Sequence, residues 1–421
     1  MTRAKPSATR QAVLRHLRPT DLQAAVRLAT QATTGVIGIA EGVHQSVRRK
    51  LGLSAGTEDD RTGGLTGQIY RGIRGVTAMV GHGLDGALST LLPLLDDPSI
   101  HPAPSPGREA VLAALNGVMG DRLLAHNNPL VQRMELRLAG QALPMPTHLR
   151  ERLAGASPHL LLLVHGLCMN DTQWQRNGHD HGTHLSQALG CTPVYARYNS
   201  GLHTSINGRE LAGQLERLVA HWPALESITV LGHSMGGLLA RAAVFYGRQM
   251  GHRWPAQLKH LVFLGTPHHG APLERAGHGV DVLLSASPFT LPFTRLGMLR
   301  SAGITDLRHG HVLDDDWMGR GRFDSPHDHR EPLPLPEGVA CFTVAATLAP
   351  QRGLLAERLT GDGLVPLRSA LGQHDEAERR LVFAKDSQRT VFRTGHLELL
   401  SSPVVAQQLV QWLSPGVIEV D

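Results

Sequence analysis

The chain has 421 residues, of which 41% are hydrophobic, and its net charge is +5. This length allows one large domain with an extension, or two domains, and the hydrophobic fraction is sufficient for a sizeable core. The charge is spread along the chain without a long basic run, which argues against a nucleic-acid partner. Three cysteines, Cys168, Cys191 and Cys341, are too few for a disulfide framework, although one bridge and three reduced thiols both fit.

The first third of the sequence begins with a polar segment, and a pattern typical of helices follows it. Residues 1–18 are predicted to be disordered, and residues 19–130 are predicted to form a helical region with three helical patterns. We expect this region to be a cap on the main domain; a peripheral membrane or partner contact through these helices is the alternative. No apolar segment predicts a secretory signal or a spanning helix, so a cytoplasmic or peripheral-membrane location is expected.

A short strand or hairpin is predicted at Met134–Leu143, at an edge of the sheet. From about Pro158 onwards, buried strands alternate with helices. The predicted strands are His159–Val164, Pro193–Tyr198, Ser227–Leu231, Leu258–Leu264, Val339–Ala345 and one at either Leu381–Ala384 or Thr390–Phe392. The predicted helices are His184–Leu189, Asn207–His221, Met235–Met250 and Val404–Leu413. This alternation predicts fold class α/β, a mostly parallel sheet with helices on both faces, in a domain of residues 131–421.

The alternation stops between about residues 271 and 337. This insertion combines apolar residues, among them Phe289 and Phe293, with an acidic run and a Pro-rich end. An apolar insertion after a strand of such a sheet is typical of a lid over a catalytic mouth. We therefore expect Phe289 and Phe293 to be substrate-pocket or lid residues.

The segment Ser227–Arg241 indicates a strand, a sharp turn and a helix, with Gly232-x-Ser234-x-Gly236 at the turn. A serine on such a turn, which is termed a nucleophile elbow, presents its hydroxyl clear of the sheet, at the start of the helix. The same five-residue pattern occurs around Ser54, but no buried strand precedes it and no apolar helix follows it. Ser234 is therefore the candidate nucleophile, and Ser54 is interpreted as a loop residue.

A serine nucleophile needs a base and a group that orients the base. His396 follows the last predicted strand and precedes the final helix, and Asp362 lies between two glycines after the strand before it. The chain order Ser, Asp, His is one of those known for serine triads. We therefore expect Asp362 and His396 to complete a triad, although a structural loop histidine and an ordinary Asp-Gly turn are the simpler alternatives.

The oxyanion that forms in acyl transfer needs backbone donors. The loop after the first buried strand should supply the N–H of Leu167, and the helix after the elbow should supply the N–H of Met235. His165 is expected to brace this loop. His165, His233 and His268 are candidates for the wall of the substrate pocket.

Three other arrangements of side chains compete with this triad. The segments His179–His181 with His184, and His327–His329, contain suitable metal ligands but are not spaced for a closed site, so no metal is predicted. His268 or His269 would be a substitute base. Cys168 would be a thiol nucleophile, but it lacks the elbow and fits better as a small apolar residue.

The motifs taken together resemble the α/β-hydrolase superfamily, and within it the branch of lipases and GPI inositol-deacylase-like proteins. The resemblance spans about residues 158–413 and is carried by Leu162–Trp174, Arg197–Gly208, Leu231–Arg241, Gly265–Gly270, Gly361–Pro366 and Gly395–Leu400. It implies ester hydrolysis without a cofactor, on lipophilic substrates, with Ser234, Asp362 and His396 as the triad. Acyl transfer on the same scaffold and a non-catalytic lipid- or partner-binding module are the alternatives.

Overall fold

The computed structural model describes residues 106–144, 148–271, 301–319, 328–351 and 361–414. Within these ranges, residues 106–123 and those from 132 onwards belong to one compact unit. The predictions for residues 1–105, including Ser54, and for Phe289 and Phe293 lie outside the described residues. No helix within these ranges has the length and apolar character needed to cross a membrane.

An eight-stranded sheet forms the centre of this unit. Its strands are β1 (Glu135–Leu138), β2 (Gln141–Ala142), β3 (His159–Val164), β4 (Thr192–Arg197), β5 (Ser227–His233), β6 (Leu258–Leu264), β7 (Ala340–Thr347) and β8 (Gln388–Phe392). The helices are α1 (Pro106–Ala125), α2 (Leu149–Arg152), α3 (His181–Leu189), α4 (Thr204–Val219), α5 (Met235–Gln249), α6 (Ala302–His309), α7 (Leu367–Ala370) and α8 (Pro403–Leu413). Helix α1 is kinked at Met119, where φ is −144° and ψ is 21°.

The strands lie in the order β2-β1-β4-β3-β5-β6-β7-β8. Strands β3 to β8 are parallel to one another, whereas β1 runs antiparallel to β4 and forms a hairpin with β2. The chain moves from β3 to one side to form β4 and then to the other side to form β5, so the order reverses beside β3. Ligands of open parallel sheets bind at such a reversal, outside the carboxyl ends of the strands.

The predicted α/β class is therefore confirmed. Strands β3 and β6 have the predicted bounds. Of the short strand and the hairpin that Met134–Leu143 left open, the structure has the hairpin, as β1 and β2. The last strand is β8, which includes the predicted Thr390–Phe392, so the alternative at Leu381–Ala384 is wrong. Leu381 and Phe383 are apolar because they are buried against the sheet, and the N–H of Leu381 donates to Gly372 O rather than to a strand.

Alternate residues of β3 enter two different cores. Leu160 and Leu162 pack on the face covered by α4 and α5, and Leu161 and Leu163 pack on the face covered by α3 and α8. All four are essentially inaccessible to solvent. This explains why the strand is apolar at every position, as is usual for a parallel strand between two helical layers.

Helix α1 packs closely on the loops that follow β3 and β4. A Cβ at Gly117 would lie 2.4 Å from Cys168 Sγ, and one at Gly120 would lie 1.8 Å from Asn199 Oδ1. Asn199 Nδ2 donates to Gly120 O at 3.0 Å. This helix falls inside the predicted helical region 19–130, yet it belongs to the unit that contains the sheet. The predicted domain division at residue 130 stays a prediction.

The first turns of α1 are held by a partly buried ion-pair network. Arg197, at the end of β4, pairs with Glu109 of α1 and with Asp171. Arg137 Nε of β1 lies 3.0 Å from Asp171 Oδ2. Since all four side chains are largely removed from solvent, each charge depends on its partners for compensation. The network therefore joins α1 to the antiparallel edge of the sheet.

Replacing Gly120 with alanine is expected to destabilise the protein by about 1–3 kcal/mol, because the added methyl group overlaps the Asn199 amide. That amide cannot move freely, since Asn199 Oδ1 also accepts from Gly201 N at 3.1 Å. Gly213→Ala in α4 is the matched control, since the nearest atom to its added Cβ is Arg217 Nη1 at 3.6 Å. The control should be neutral or stabilising by up to about 1 kcal/mol. Urea unfolding measures both, and equal effects would contradict the close packing of α1.

Candidate active site

Ser234 directly follows β5 and is the residue before α5. Its backbone has φ 55° and ψ −125°, a conformation that side-chain-bearing residues rarely adopt. Two glycines make the turn sterically allowed. A Cβ at Gly232 would lie 2.7 Å from Gly237 Cα, and one at Gly236 would lie 2.2 Å from Val164 O. The turn therefore holds the Ser234 side chain at the carboxyl edge of the central strands.

Asp362 and His396 form a buried pair at the same edge of the sheet. His396 Nδ1 lies 2.7 Å from Asp362 Oδ2, and His396 N donates to Asp362 O at 2.9 Å. Asp362 Oδ1 accepts from the N–H groups of Leu364 at 3.0 Å and Val365 at 2.7 Å. Since a carboxylate only accepts, Nδ1 of His396 carries the proton and Nε2 is left with a lone pair.

His233 connects this pair to the elbow. Its ring centroid lies 4.8 Å from that of His396, and His233 Nε2 donates to His396 O at 3.2 Å. Burial, and after it the proximity of the His396 imidazole, lowers the pKa of His233 well below its ordinary value, so the His233 imidazole is neutral. His233, which directly precedes Ser234, therefore holds the backbone of His396 beside the elbow.

The Ser234 hydroxyl and His396 Nε2 are both buried. Among the described residues neither atom has a hydrogen-bond partner, so the two do not bond to each other in this conformation. Catalytic hydrogen bonds are often long or poorly aligned in an enzyme without substrate. The structure thus joins the predicted acid to the predicted base, and places that base against the strand end that carries the serine.

The loop after β3 passes directly over the elbow. A Cβ at Gly166 would lie 3.0 Å from Ser234 Cβ. Leu167 follows it and packs in one apolar cluster with Met235, the first residue of α5. Cys168 has a left-handed backbone, φ 61°, and its N–H donates to Ser200 Oγ at 3.0 Å. The loop that carries Leu167 therefore passes beside Ser234, and Met235 is the residue after Ser234.

His165 supports the loop after β3 through its contacts with Gly166 and Tyr198. Its ring stacks on Tyr198 with centroids 4.2 Å apart, and its Nδ1 donates to Gly166 O at 2.8 Å. Tyr198 N donates to His165 Nε2 at 3.4 Å, and the Tyr198 hydroxyl donates to His165 O at 2.7 Å. Burial lowers the pKa of His165 to about 4, so the ring remains neutral and acts as a support.

His268 and His269 contact side chains outside the site formed by Ser234, Asp362 and His396. The His268 ring contacts Phe263 at 4.6 Å and Phe383 at 5.8 Å between centroids, and the His269 ring lies 4.9 Å from His374. None of these partners belongs to the Ser234 or His396 segments. A role for His268 in a pocket wall, or as a substitute base, receives no support from these contacts and stays a prediction.

The histidines near residue 180 make structural contacts. His179 Nε2 donates to His181 Nδ1 at 2.9 Å, and His181 Nε2 donates to Leu399 O at 2.9 Å. Asp180 caps α3 by accepting from Thr183 N at 2.7 Å. In the part of the chain that the structure describes, no three His, Cys, Asp or Glu side chains are grouped so that they could hold a metal ion.

The three cysteines are free thiols. Cys168 Sγ lies 3.9 Å from Ala114 O of α1, and burial raises the pKa of this thiol to about 12. A nucleophilic cysteine has to ionise near neutral pH, so this environment disfavours the thiol alternative.

Gly265 was not assigned a role from the sequence, although it opens the Gly265–Gly270 motif. Its φ is 57°, and a Cβ there would lie 2.8 Å from Leu399 Cδ1 and 3.3 Å from His396 Cε1. The end of β6 therefore lies directly beside the His396 ring. The signal in the sequence is a glycine directly after the apolar run Leu261–Leu264 at the end of β6.

An apolar cluster covers the elbow. Leu167 and Met235 pack there with Ala114 and Val118 of α1 and with residues of the described part of the insertion, Ile304 and Leu307. Helix α6 is anchored by Asp306, which accepts from Thr204 N at 2.7 Å. His203 Nδ1 lies 2.9 Å from the other Asp306 oxygen. Part of the predicted lid therefore packs beside the elbow.

Comparison with known proteins agrees with this architecture. Residues 156–321, less than half of the chain, match the family model of the PGAP1-like alpha/beta domain. This match includes Leu167, Ser234 and Met235, and it ends before Asp362 and His396. No match is found among curated proteins. Together with the strand order, the family match shows an α/β-hydrolase fold and confirms the resemblance inferred from the motifs.

Solved lipase structures are among those similar to this chain, at low sequence identity. The mature lipase BlEst2 of Bacillus licheniformis matches with 16% identity over 59% of this chain and 91% of its own, with a TM-score of 0.39. Its propeptide form matches with 17% identity over 62% of this chain and 50% of its own, with a TM-score of 0.41. Lipase B of Aspergillus fumigatus matches with 12% identity over 64% of this chain and 58% of its own, with a TM-score of 0.37.

Proposed function

Because the chain carries an α/β-hydrolase fold with a PGAP1-like domain at residues 156–321, we propose that it is a serine hydrolase of carboxylic esters. Ser234 is the nucleophile, His396 the base and Asp362 the group that orients the base. The observation that carries the proposal is the buried Asp362–His396 pair, 2.7 Å apart, which leaves Nε2 as a proton acceptor at the sheet edge where the elbow ends.

The proposed reaction proceeds through an acyl-enzyme. His396 Nε2 takes the proton of Ser234 Oγ as this oxygen attacks the ester carbonyl carbon. The backbone N–H groups of Leu167 and Met235 stabilise the oxyanion, and the alcohol leaves with the proton that His396 returns. Water then attacks the acyl-enzyme by the same route and releases the carboxylic acid. No cofactor enters these steps.

The proposed substrates are lipophilic esters. Leu167 in the loop beside the elbow and Met235 at the start of α5 belong to the apolar cluster that α1 and α6 complete. An acyl chain that entered between these elements would leave water for an apolar surface, which contributes about 0.8 kcal/mol for each buried CH₂ group.

Acyl transfer to an alcohol or amine is the second candidate function. The observation that favours it is the burial of the reacting groups, since Ser234 and His396 are 0% and 1% exposed. Exclusion of water lengthens the life of an acyl-enzyme and allows another acceptor to take the acyl group. Product analysis with added glycerol or a long-chain alcohol separates the two reactions.

Labelling with a fluorophosphonate probe tests the proposal directly. The full chain should be labelled at one residue, which peptide mass spectrometry should identify as Ser234. With p-nitrophenyl esters, kcat/KM should rise about threefold to fourfold for each CH₂ added between the acetate and the octanoate. A chain that is folded yet unlabelled, and inactive on every ester, would instead indicate a non-catalytic binding module.

A further inference from the structure

A half-open cleft lies between α5, the end of β6 and the segment that follows α6. About 330 Å³ of empty space lies within it, part of it open to solvent. None of Ser234, Asp362 and His396 lines this cleft. The lining residues that bear charge or can titrate include Arg241, His268, Asp316, Arg330, Glu331 and Arg379.

Two of the three arginines in the cleft are paired with carboxylates. Arg330 Nε donates to Asp328 Oδ1 at 2.8 Å, and Arg330 Nη1 donates to His268 O at 3.0 Å. Arg379 Nε donates to Glu376 Oε2 at 2.6 Å. These two cations are therefore compensated within the chain.

Arg241 is the exception. Its side chain is 6% exposed, and its Nη2 donates to a backbone carbonyl, Leu333 O, at 2.5 Å. Its Nε is buried and has no hydrogen-bond partner among the described residues. Burial, and after it the Arg330 charge, lower the pKa of Arg241 to about 10, so the side chain is still a cation at neutral pH. A buried cation without a counter-ion is costly and therefore attracts an anion.

The carboxylate of Asp316 does not fill this role. Its Oδ2 accepts from Val312 N at 2.7 Å and from Leu313 N at 2.8 Å, and its Oδ1 accepts from Glu331 N at 3.1 Å. Oδ2 thus closes the turn at residues 312–316, and Oδ1 binds the backbone at Glu331. Among the described residues, no carboxylate lies within ion-pair distance of Arg241.

His268 adds a second unused donor to the same cleft. Its ring is 1% exposed, and neither ring nitrogen has a partner among the described residues. Burial, and after it the Arg241 charge, lower the pKa of His268 well below its ordinary value. The imidazole is therefore neutral, and it still offers one N–H to an acceptor beside Arg241.

We propose that this cleft binds a phosphate group, held by the guanidinium of Arg241 with the His268 imidazole as a second donor. Guanidinium groups bind carboxylates and phosphates alike. Here the available donors lie on separate elements, α5 and the loop after β6, with the Arg330 and Arg379 charges on further loops. Donors on different sides suit a tetrahedral acceptor better than a planar carboxylate. The inference does not depend on the proposed esterase activity.

Titration of the full chain with inorganic phosphate tests this site. Phosphorus NMR line widths give the affinity, and thermal unfolding is compared with sodium chloride at equal ionic strength. Arg241→Gln should weaken phosphate binding by about tenfold or more, because it removes a charged donor. The matched control is Arg248→Gln, since this arginine lies on the same helix and donates to Glu337 O at 2.8 Å. The control should bind phosphate as the unmodified chain does.

Glu331→Gln keeps the test decisive if Arg241→Gln does not fold. Glu331 is an exposed carboxylate at the cleft, so its neutralisation should tighten phosphate binding, by up to about fivefold. Phenyl phosphate distinguishes the source: tighter binding than inorganic phosphate indicates a phosphate group of a larger molecule, and equal binding indicates the free ion. The proposal is overturned if phosphate binding is not saturable, if acetate binds as tightly, or if neither variant at Arg241 or Glu331 changes the affinity.

Discussion

The Ser234→Ala variant is expected to lose ester hydrolysis by about 10⁶-fold in kcat, because no other hydroxyl occupies the elbow. The residual activity should be a slow background reaction that depends on the oxyanion donors alone. The side chain is small and buried, and its removal leaves the N–H of Ser234 bonded to Leu264 O at 2.8 Å, so the turn should remain folded. Single-turnover and steady-state assays on a p-nitrophenyl ester measure the loss.

The sequence contains its own control for this variant. Ser54 lies in the same Gly-x-Ser-x-Gly pattern as Ser234, but its sequence context predicts a loop residue. Ser54→Ala should retain full activity and full fluorophosphonate labelling. Turnover of Ser234→Ala within tenfold of the unmodified chain would show that another residue attacks the ester, and the triad proposal would then fail.

The elbow was predictable because its determinants are local. An apolar strand, a serine between two glycines and an amphipathic helix are contiguous in the sequence, and the structure places them as β5, Ser234 and α5. Asp362 and His396 are distant in sequence from Ser234, but each follows a parallel strand. Since carboxyl ends of parallel strands share one edge, the sheet topology itself brings such residues to the same rim.

The position of α1 was not predictable in this way. Its helical pattern was recognised, but a helical pattern does not name the surface on which the helix packs. What decides this is the fit of Gly117 against Cys168 and of Gly120 against Asn199, between segments that are about 50 to 80 residues apart. The lack of a carboxylate partner for Arg241 within the described ranges was equally unpredictable, because it depends on how separate loops of the fold place their carboxylates.

The Asp362→Asn variant is expected to lower kcat by about 10⁴-fold at neutral pH with little change in the fold. The physical reason is the hydrogen-bond polarity of the site. The N–H groups of Leu364 and Val365 require an acceptor at the Oδ1 position, so the asparagine oxygen must occupy it and the NH₂ group must face His396. An NH₂ group donates to Nδ1 of His396, and the proton then moves to Nε2, which can no longer accept the proton of Ser234.

Asp375→Asn is the control for this substitution, since Asp375 is exposed and pairs with Arg368 at 2.5 Å. It removes the same charge from a nearby segment and should leave kcat unchanged. Histidine NMR of the Asp362→Asn variant should show the proton of His396 on Nε2 instead of Nδ1. If kcat falls by less than tenfold and the Nδ1 proton remains, then Asp362 does not set the tautomer, and the buried pair supports the loop rather than the chemistry.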